Sequence, residues 1–350
     1  MGIGFQSGEA AASQQGGFTY PNVINVLKSE GFINTLAYSL WLDDLTSSTG
    51  SILFGGVDTN KYHGNLVALP IQLDTQSQSI SSFTVAFTSL QVTAGGQVSN
   101  FNPSDPLPVI LDSGTTDTLL PDDIANNIFN GVGVLTDPNY GNVVKCSLAD
   151  DDVTFSFGFG GRGGPIINVS LSEFVTPLLT TDGSQPTFEN GDPACSFGIE
   201  AAGDNPLLFG DTFLRSAYVV YDLENEQIGL AQTNFDANPN NQNVQAFQAS
   251  SGIPDVTSTA TAASVAQTFT GNPRVTEASA TATGDLGGGT SRSATFKLTP
   301  TGSSGASSTG SSHSNAANPN LRPGSFQFSG IVAVGVIVGG VLLGGSLVLL

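Results

Sequence analysis

The stretch PVILDSGTTDTLLPDD, residues 108–123, places an ionisable carboxylate, Asp112, at the end of an apolar run. Pro108 to Leu111 are apolar, Asp-Ser-Gly-Thr-Thr follows, and a second apolar pair, Leu119 and Leu120, comes next. A solvent turn is one reading, because Asp-Ser-Gly is a common tripeptide. The other is a strand that delivers Asp112 to a built site. Gly114 would let the chain turn sharply so that backbone amides point at the carboxylate. The hydroxyls of Ser113 and Thr115 could then orient the loop. The rest of the chain decides between the two.

Its 350 residues are 39% hydrophobic and only 11% charged, with 43 glycines, which suits a β-rich extracellular fold better than a helical one. A net charge of −20 argues against a nucleic-acid partner. Such a surface fits work at low pH or contact with cationic substrates, and solubility alone would also account for it. There are two histidines, His63 and His313. A Ser-His-Asp set would rest on His63 alone, and a His-rich zinc site is excluded. Carboxylates remain as the chemical groups. The two cysteines, Cys146 and Cys195, read as a disulfide of an extracellular protein, with two free thiols as the alternative. Closing that loop would stabilise the fold by roughly 4 kcal/mol.

Three zones separate by composition. Up to about residue 235, runs such as GNLVALPIQLD and SSFTVAFTSLQVTAGGQV alternate apolar and polar residues between Gly, Asn and Asp turns, which predicts strands. Residues 218–230 read as a hairpin turning at Glu224-Asn225-Glu226. Two helices are expected, over 22–31 with Gly31 as terminator, and from Pro121 with two acids in its first turn. From 236 to 317 Ser, Thr, Ala and Gly dominate, a composition that cannot bury enough apolar surface to offset its conformational entropy. An extended, O-glycosylated stalk is expected there, with a plain flexible tail as the alternative.

Residues 331–350 carry no charge and are long enough to span a bilayer. No Lys or Arg follows them, and upstream lie a small-residue triplet, Asn315-Ala316-Ala317, and a polar spacer. That order is a glycosylphosphatidylinositol (GPI) attachment signal, with Asn315 as attachment residue, Ser314 as the alternative, and 318–350 removed. A true membrane span is the competing reading. The sequon Asn168-Val169-Ser170 fits the same secretory route to the plasma-membrane face or cell wall. The N-terminal MGIGFQSGEAAASQQGG has neither the basic region nor the apolar core of a signal peptide, so a chain beginning within a longer protein is expected.

Asp112 with Ser113, Gly114, Thr115 and Thr116 resembles the active-site signature of pepsin-like aspartic proteases. LLFGDTFLRSAYVVYDLENEQIGLAQ (207–232) resembles that family's closing element, whose strand at 208–210 would cross beneath the Asp112 loop. AYSLWLDDLTSSTGSILFGGVDTNKYHGNLVALPI (37–71) resembles the segment that leads into its C-terminal lobe. The cysteines fall where that lobe carries its disulfide. Stalk and anchor together resemble the fungal yapsin-type branch. The resemblance implies a mainly β, bilobal fold, with residues 1–65 as the end of the N-terminal lobe and interlobe segment and 66–235 as the C-terminal lobe. It implies an aspartic endopeptidase in which two aspartates share a proton and activate water, without metal or cofactor. Asp112 would be the C-terminal-lobe member, and peptides with basic residues at the cleavage site would be substrates.

The sequence departs from the family pattern in holding one such motif. Asp182 lacks a preceding apolar strand, and Asp211 sits in the closing element with no glycine after Thr212. MGIGF resembles the end of the N-terminal lobe's own element, so the first aspartate and the flap tyrosine are expected upstream. One carboxylate cannot serve as both base and acid, and this chain by itself is expected to be inactive and unstable. The rival readings are a non-catalytic GPI-anchored adhesion protein on a protease lobe, a symmetric dimer sharing two copies of Asp112, and a single-pass receptor. Asp117 is the nearest candidate for a specificity residue, with helix capping or solvation as alternatives. Asp43-Asp44 and 150–152 read as solvated turns.

Overall fold

The structure, a computed structural model, describes residues 2–9, 17–47, 50–74, 78–180, 183–238 and 241–265, with the backbone of 334–335 and 346–347. The period-two runs form strands, and they assemble into three main sheets. A six-stranded sheet runs in the order Ser51–Phe54, Ala37–Trp41, Ala217–Asp222, Gln227–Thr233, Tyr62–Pro70 and Val256–Thr259. The hairpin expected at 218–230 supplies its centre, with Tyr221 opposite Ile228. Asp222 Oδ1 accepts the Asn225 N–H at 3.0 Å, which shapes the turn.

An eight-stranded sheet runs Ile166–Ser170, Val153–Phe159, Thr84–Ala94, Leu107–Leu111, Leu207–Phe209, Thr118–Leu120 and Ile199–Ala201, with Gln97–Asn100 beside Thr84–Ala94. Alternate residues of these strands bury a phenylalanine layer. Phe209 meets Phe87 at 5.3 Å and Phe157 at 5.4 Å, both edge-on, the arrangement the ring quadrupoles favour. A four-stranded sheet of Val175–Pro177, Ala194–Phe197, Gly141–Lys145 and Leu135–Asp137 carries the disulfide region. Cys146 and Cys195 are bonded, their Cα atoms 4.9 Å apart.

Both expected helices form. Val23–Ser29 begins after Asn22, whose side chain accepts the Asn25 N–H. Asp122–Val132 opens with its two acids and ends at Gly133, whose φ of 77° favours glycine. Its Ile124, Ile128 and Val132 lie on one face and are buried.

The boundary expected at 235 is corrected by the structure, because residues 241–265 return to the protein as a strap. Val244–Ala246 pairs with Gly56–Asp58, Phe247 is fully buried, and Val256–Thr259 joins the six-stranded sheet in parallel beside Tyr62–Pro70. The Ala263 N–H donates to the Gly160 carbonyl. Small residues make this docking possible. A Cβ at Gly160 would stand 3.0 Å from that of Ala260, and one at Gly161 would stand 3.3 Å from that of Ala263. Burying Phe247 contributes about 2–3 kcal/mol, which a polar stalk could not supply.

Among the described residues no helix is long and apolar enough to cross a membrane. Asn315, Ser314 and most of the expected stalk and apolar tail lie outside the described residues. In that region the backbone of Val334–Gly335 pairs antiparallel with Ser346–Leu347.

Candidate active site

Leu107–Leu111 ends in Asp112, and the strand expected to cross beneath its loop is present as Leu207–Phe209. It pairs in parallel with Leu107–Leu111 and meets Thr118 from the other side. The loop between the two outer strands therefore spans a third strand, and its backbone is tied there. The Asp112 N–H donates to the Phe209 carbonyl at 3.1 Å, and the Gly210, Asp211 and Thr212 amides donate to the carbonyls of Asp117, Thr115 and Thr116. Gly210 has to be glycine for reasons of space, since a Cβ there would lie 2.3 Å from the Thr115 oxygen.

The carboxylate is held at both oxygens. Oδ1 accepts the Gly114 N–H at 2.9 Å, and Oδ2 accepts the Thr115 hydroxyl at 2.8 Å. A Cβ on Gly114 would stand 3.1 Å from Oδ1, so the close approach of backbone to carboxylate accounts for that residue. Two charge-assisted bonds fix the orientation of Asp112 while leaving it half-exposed. Ser113 and Thr116 have exposed side chains, and Thr116 contributes its carbonyl to the anchoring of Thr212.

Beneath the loop lies an aromatic layer. Tyr221 stacks on Tyr38 at 4.8 Å, Phe83 packs on Tyr221 at 4.5 Å, and the Tyr221 hydroxyl donates to the Leu111 carbonyl at 3.4 Å. Burial holds the phenols of Tyr38 and Tyr221 well above the ordinary tyrosine range, and the charge of Asp112 adds to this.

Three further acids surround the loop. Burial pushes Asp211 up to about 7, opposed by Arg215 and helped by Asp112 and Asp117. Half-buried Asp117 is pushed by desolvation to about 6, against the pull of Arg215. Glu200, which accepts from Asn142 Nδ2 at 3.0 Å, is raised by burial and by Asp117 to about 8. Arg215 is itself engaged by Glu173. Below about pH 5 these three acids are protonated, so they add little negative charge around Asp112.

A cavity of about 460 Å³ is lined by Ile110, Leu207, Pro121, Asp122, Ala202 and Asp204 among others, and by none of the residues of the Asp112 loop. Among the described residues no group of His, Cys, Asp and Glu could hold a metal ion.

Asp117 does not cap the helix that follows, whose N-cap is Pro121. Asp43 is buried rather than solvated, with a φ of 65° and Oδ2 accepting from the Ser47 hydroxyl. Asp150, Asp151 and Asp152 are exposed, as expected of a solvated turn. Asn168 is exposed on the edge strand Ile166–Ser170. Asp211 and Glu200 carried no signal in the sequence, since their environment comes from strands far away in the chain.

Comparison with known proteins agrees with this geometry. The profile described as "Eukaryotic aspartyl protease" matches residues 1–233. "Probable aspartic-type endopeptidase opsB" of Aspergillus oryzae is 43% identical over 244 residues, covering 69% of this chain and 48% of that protein. "Aspartic proteinase 3" of Saccharomyces cerevisiae is 33% identical over 297 residues, covering 79% and 49%. "Secreted aspartic protease 5" of Candida albicans is 38% identical over 236 residues, covering 67% and 50%. The chain thus spans about half the length of the relatives it matches. The family match takes in both the Asp112 loop and the strand beneath it, and the chain belongs to the eukaryotic aspartyl protease family.

Proposed function

We propose that this chain supplies the C-terminal half of an aspartic-type endopeptidase site, with Asp112 as one of two catalytic carboxylates. The observation that carries the reading is the grip on Asp112 by the Gly114 amide and the Thr115 hydroxyl at the end of a buried strand. A second aspartate, from the part of the relatives' length that this chain does not span, would share a proton with Asp112. The ionised member would take a proton from water as it attacks the peptide carbonyl, and the protonated member would donate to the carbonyl oxygen. The chain alone would then be inactive.

Substrates would be peptides or proteins in extended form, with basic residues beside the cleaved bond. Asp122 and Asp204, which line the cavity with Ile110, Leu207 and Ala202, would favour such side chains. The secretory route rests on the disulfide and on secreted relatives. Along it, Asn168 would carry a glycan and Asn315 a GPI anchor.

The test compares a full-length protein with the 350-residue chain on an unstructured peptide at about pH 4–5, the range in which a shared-proton pair works. Cleavage by the full-length protein, lost in Asp112→Asn, is expected, with none from the chain alone. Unchanged cleavage in Asp112→Asn sinks the reading. No cleavage by a folded full-length protein would favour the non-catalytic, surface-anchored alternative.

A further inference from the structure

The six-stranded sheet has a second face, turned away from Tyr38 and Tyr221 and covered by the strap. Trp41, the chain's single tryptophan, is 1% exposed there, and its indole Nε1 has no hydrogen-bond partner. A buried N–H left without an acceptor costs about 1–3 kcal/mol. Lys61, 3% exposed, places its ammonium 3.8 Å from the centre of the Trp41 ring. It takes part in none of the ion pairs among the described residues. Two buried donors thus share one corner of the fold.

That corner is a recess of about 10 Å³, with Gln242 and Val244 of the strap over it. The volume is that of one water-sized occupant. Two of the lining groups are already committed. The Tyr218 hydroxyl accepts the Asp58 N–H and donates to Ser39 Oγ, which donates to the Gly56 carbonyl. Asp58 is the acceptor that remains. Its Oδ1 takes the Asn60 and Asn243 amides, and Asp58 also lines the recess.

We propose that this recess is a binding site for a single water molecule, which accepts from Trp41 Nε1–H and the Lys61 ammonium and donates to Asp58. Charge selects among occupants of this size. A halide would satisfy the two donors but would face the Asp58 carboxylate, and a cation would face the ammonium. Water is neutral and offers both acceptor and donor capacity. Burial holds the Lys61 pKa below the ordinary lysine value, with Asp58 and Asp43 pulling it back up. A bound water compensates part of that desolvation.

The test is a high-resolution crystal structure of the protein grown in a bromide salt. Expected is one oxygen-sized density within hydrogen-bond reach of Trp41 Nε1, with no bromine anomalous signal. An anomalous peak in the recess, or an empty recess, overturns the proposal. In solution the single indole N–H of the ¹⁵N-tryptophan-labelled chain should show a cross-peak to a long-lived water, and its absence counts equally against the site. In Trp41→Phe the ring under Lys61 is kept and the density should be lost. Persistence of the density at full occupancy would show that Trp41 does not hold it.

Discussion

The side-chain amide of Gln232 grips the backbone of Asn168 at both polar groups. Asn168 N–H donates to Gln232 Oε1 at 2.7 Å, and Gln232 Nε2 donates back to the Asn168 carbonyl at 3.0 Å. The same Nε2 donates to the Ser216 carbonyl. Asn168 lies on an edge strand, where unpaired backbone groups invite association. Gln232 thus closes part of that edge from within the chain and ties the eight-stranded sheet to the six-stranded one. Replacing Gln232 by Leu should cost about 1–3 kcal/mol through the orphaned backbone groups. Urea unfolding measures it, and a change within about 0.3 kcal/mol would show the grip to be idle.

Gly210 is predicted to tolerate no side chain. In Gly210→Ala the methyl would meet the Thr115 and Asp117 oxygens at 2.3 and 2.6 Å, so the loop or the strand must move. A loss of about 3 kcal/mol is expected, the upper end of the range for forced overpacking and strain. Gly252→Ala, where the nearest atom is 3.9 Å away, should change stability by less than about 0.5 kcal/mol. Thermal unfolding of the pair separates crowding from a general intolerance of alanine.

Asp112→Asn should leave the fold nearly unchanged, within about 1 kcal/mol, because the new amide oxygen still accepts the Gly114 N–H and its nitrogen can donate to Thr115. In the full-length protein, activity should fall by at least about 10²-fold, the range expected when an acid–base group is removed. Thr115→Val is expected to lower activity less, since one bond to the carboxylate is lost. Equal peptide-cleavage rates for Asp112→Asn and wild type would remove Asp112 from the chemistry.

The three raised acids make stability fall as pH rises. Glu200, Asp211 and Asp117 are neutral in the folded protein up to about 8, 7 and 6, whereas the unfolded chain ionises them from about pH 4 upward. Their folded-state contribution is complete below about pH 4 and is lost progressively toward pH 8, because there the unfolded chain binds fewer protons. Glu200→Gln keeps the partner of Asn142 and cannot ionise. It should flatten the decline between about pH 4.5 and 8 by a few kcal/mol. Unfolding free energies across that range decide this, and parallel wild-type and Glu200→Gln curves would refute it.

Ending the chain at residue 240 should expose Trp41, Tyr62, Tyr218 and Val220, which Phe247 and Ile253 cover. A loss of about 4–6 kcal/mol is expected from two large side chains at about 2–3 kcal/mol each, with a red shift of Trp41 fluorescence. Ending it at residue 265 should leave the transition in place. Identical melting of the two truncations would deny the strap a structural role.

Local chemistry made much of this protein legible. The turn at Gly114, the Asp222–Asn225 turn of the hairpin, the Asn22 cap and the helix that opens with Asp122 and Asp123 are each decided within a few residues by steric and hydrogen-bonding preferences that travel with the sequence. The same holds for the apolar strand that carries Asp112, and hence for the family resemblance. The burial of Asp211, Asp117 and Glu200, the grip of Gln232 on Asn168 and the docking of Ala260 and Ala263 against Gly160 and Gly161 were decided only by tertiary structure. Each depends on residues tens to hundreds of positions apart. A carboxyl group's pKa is set by the solvent it loses, and an alanine's value as a packing surface by the glycine opposite. No run of neighbouring residues encodes either.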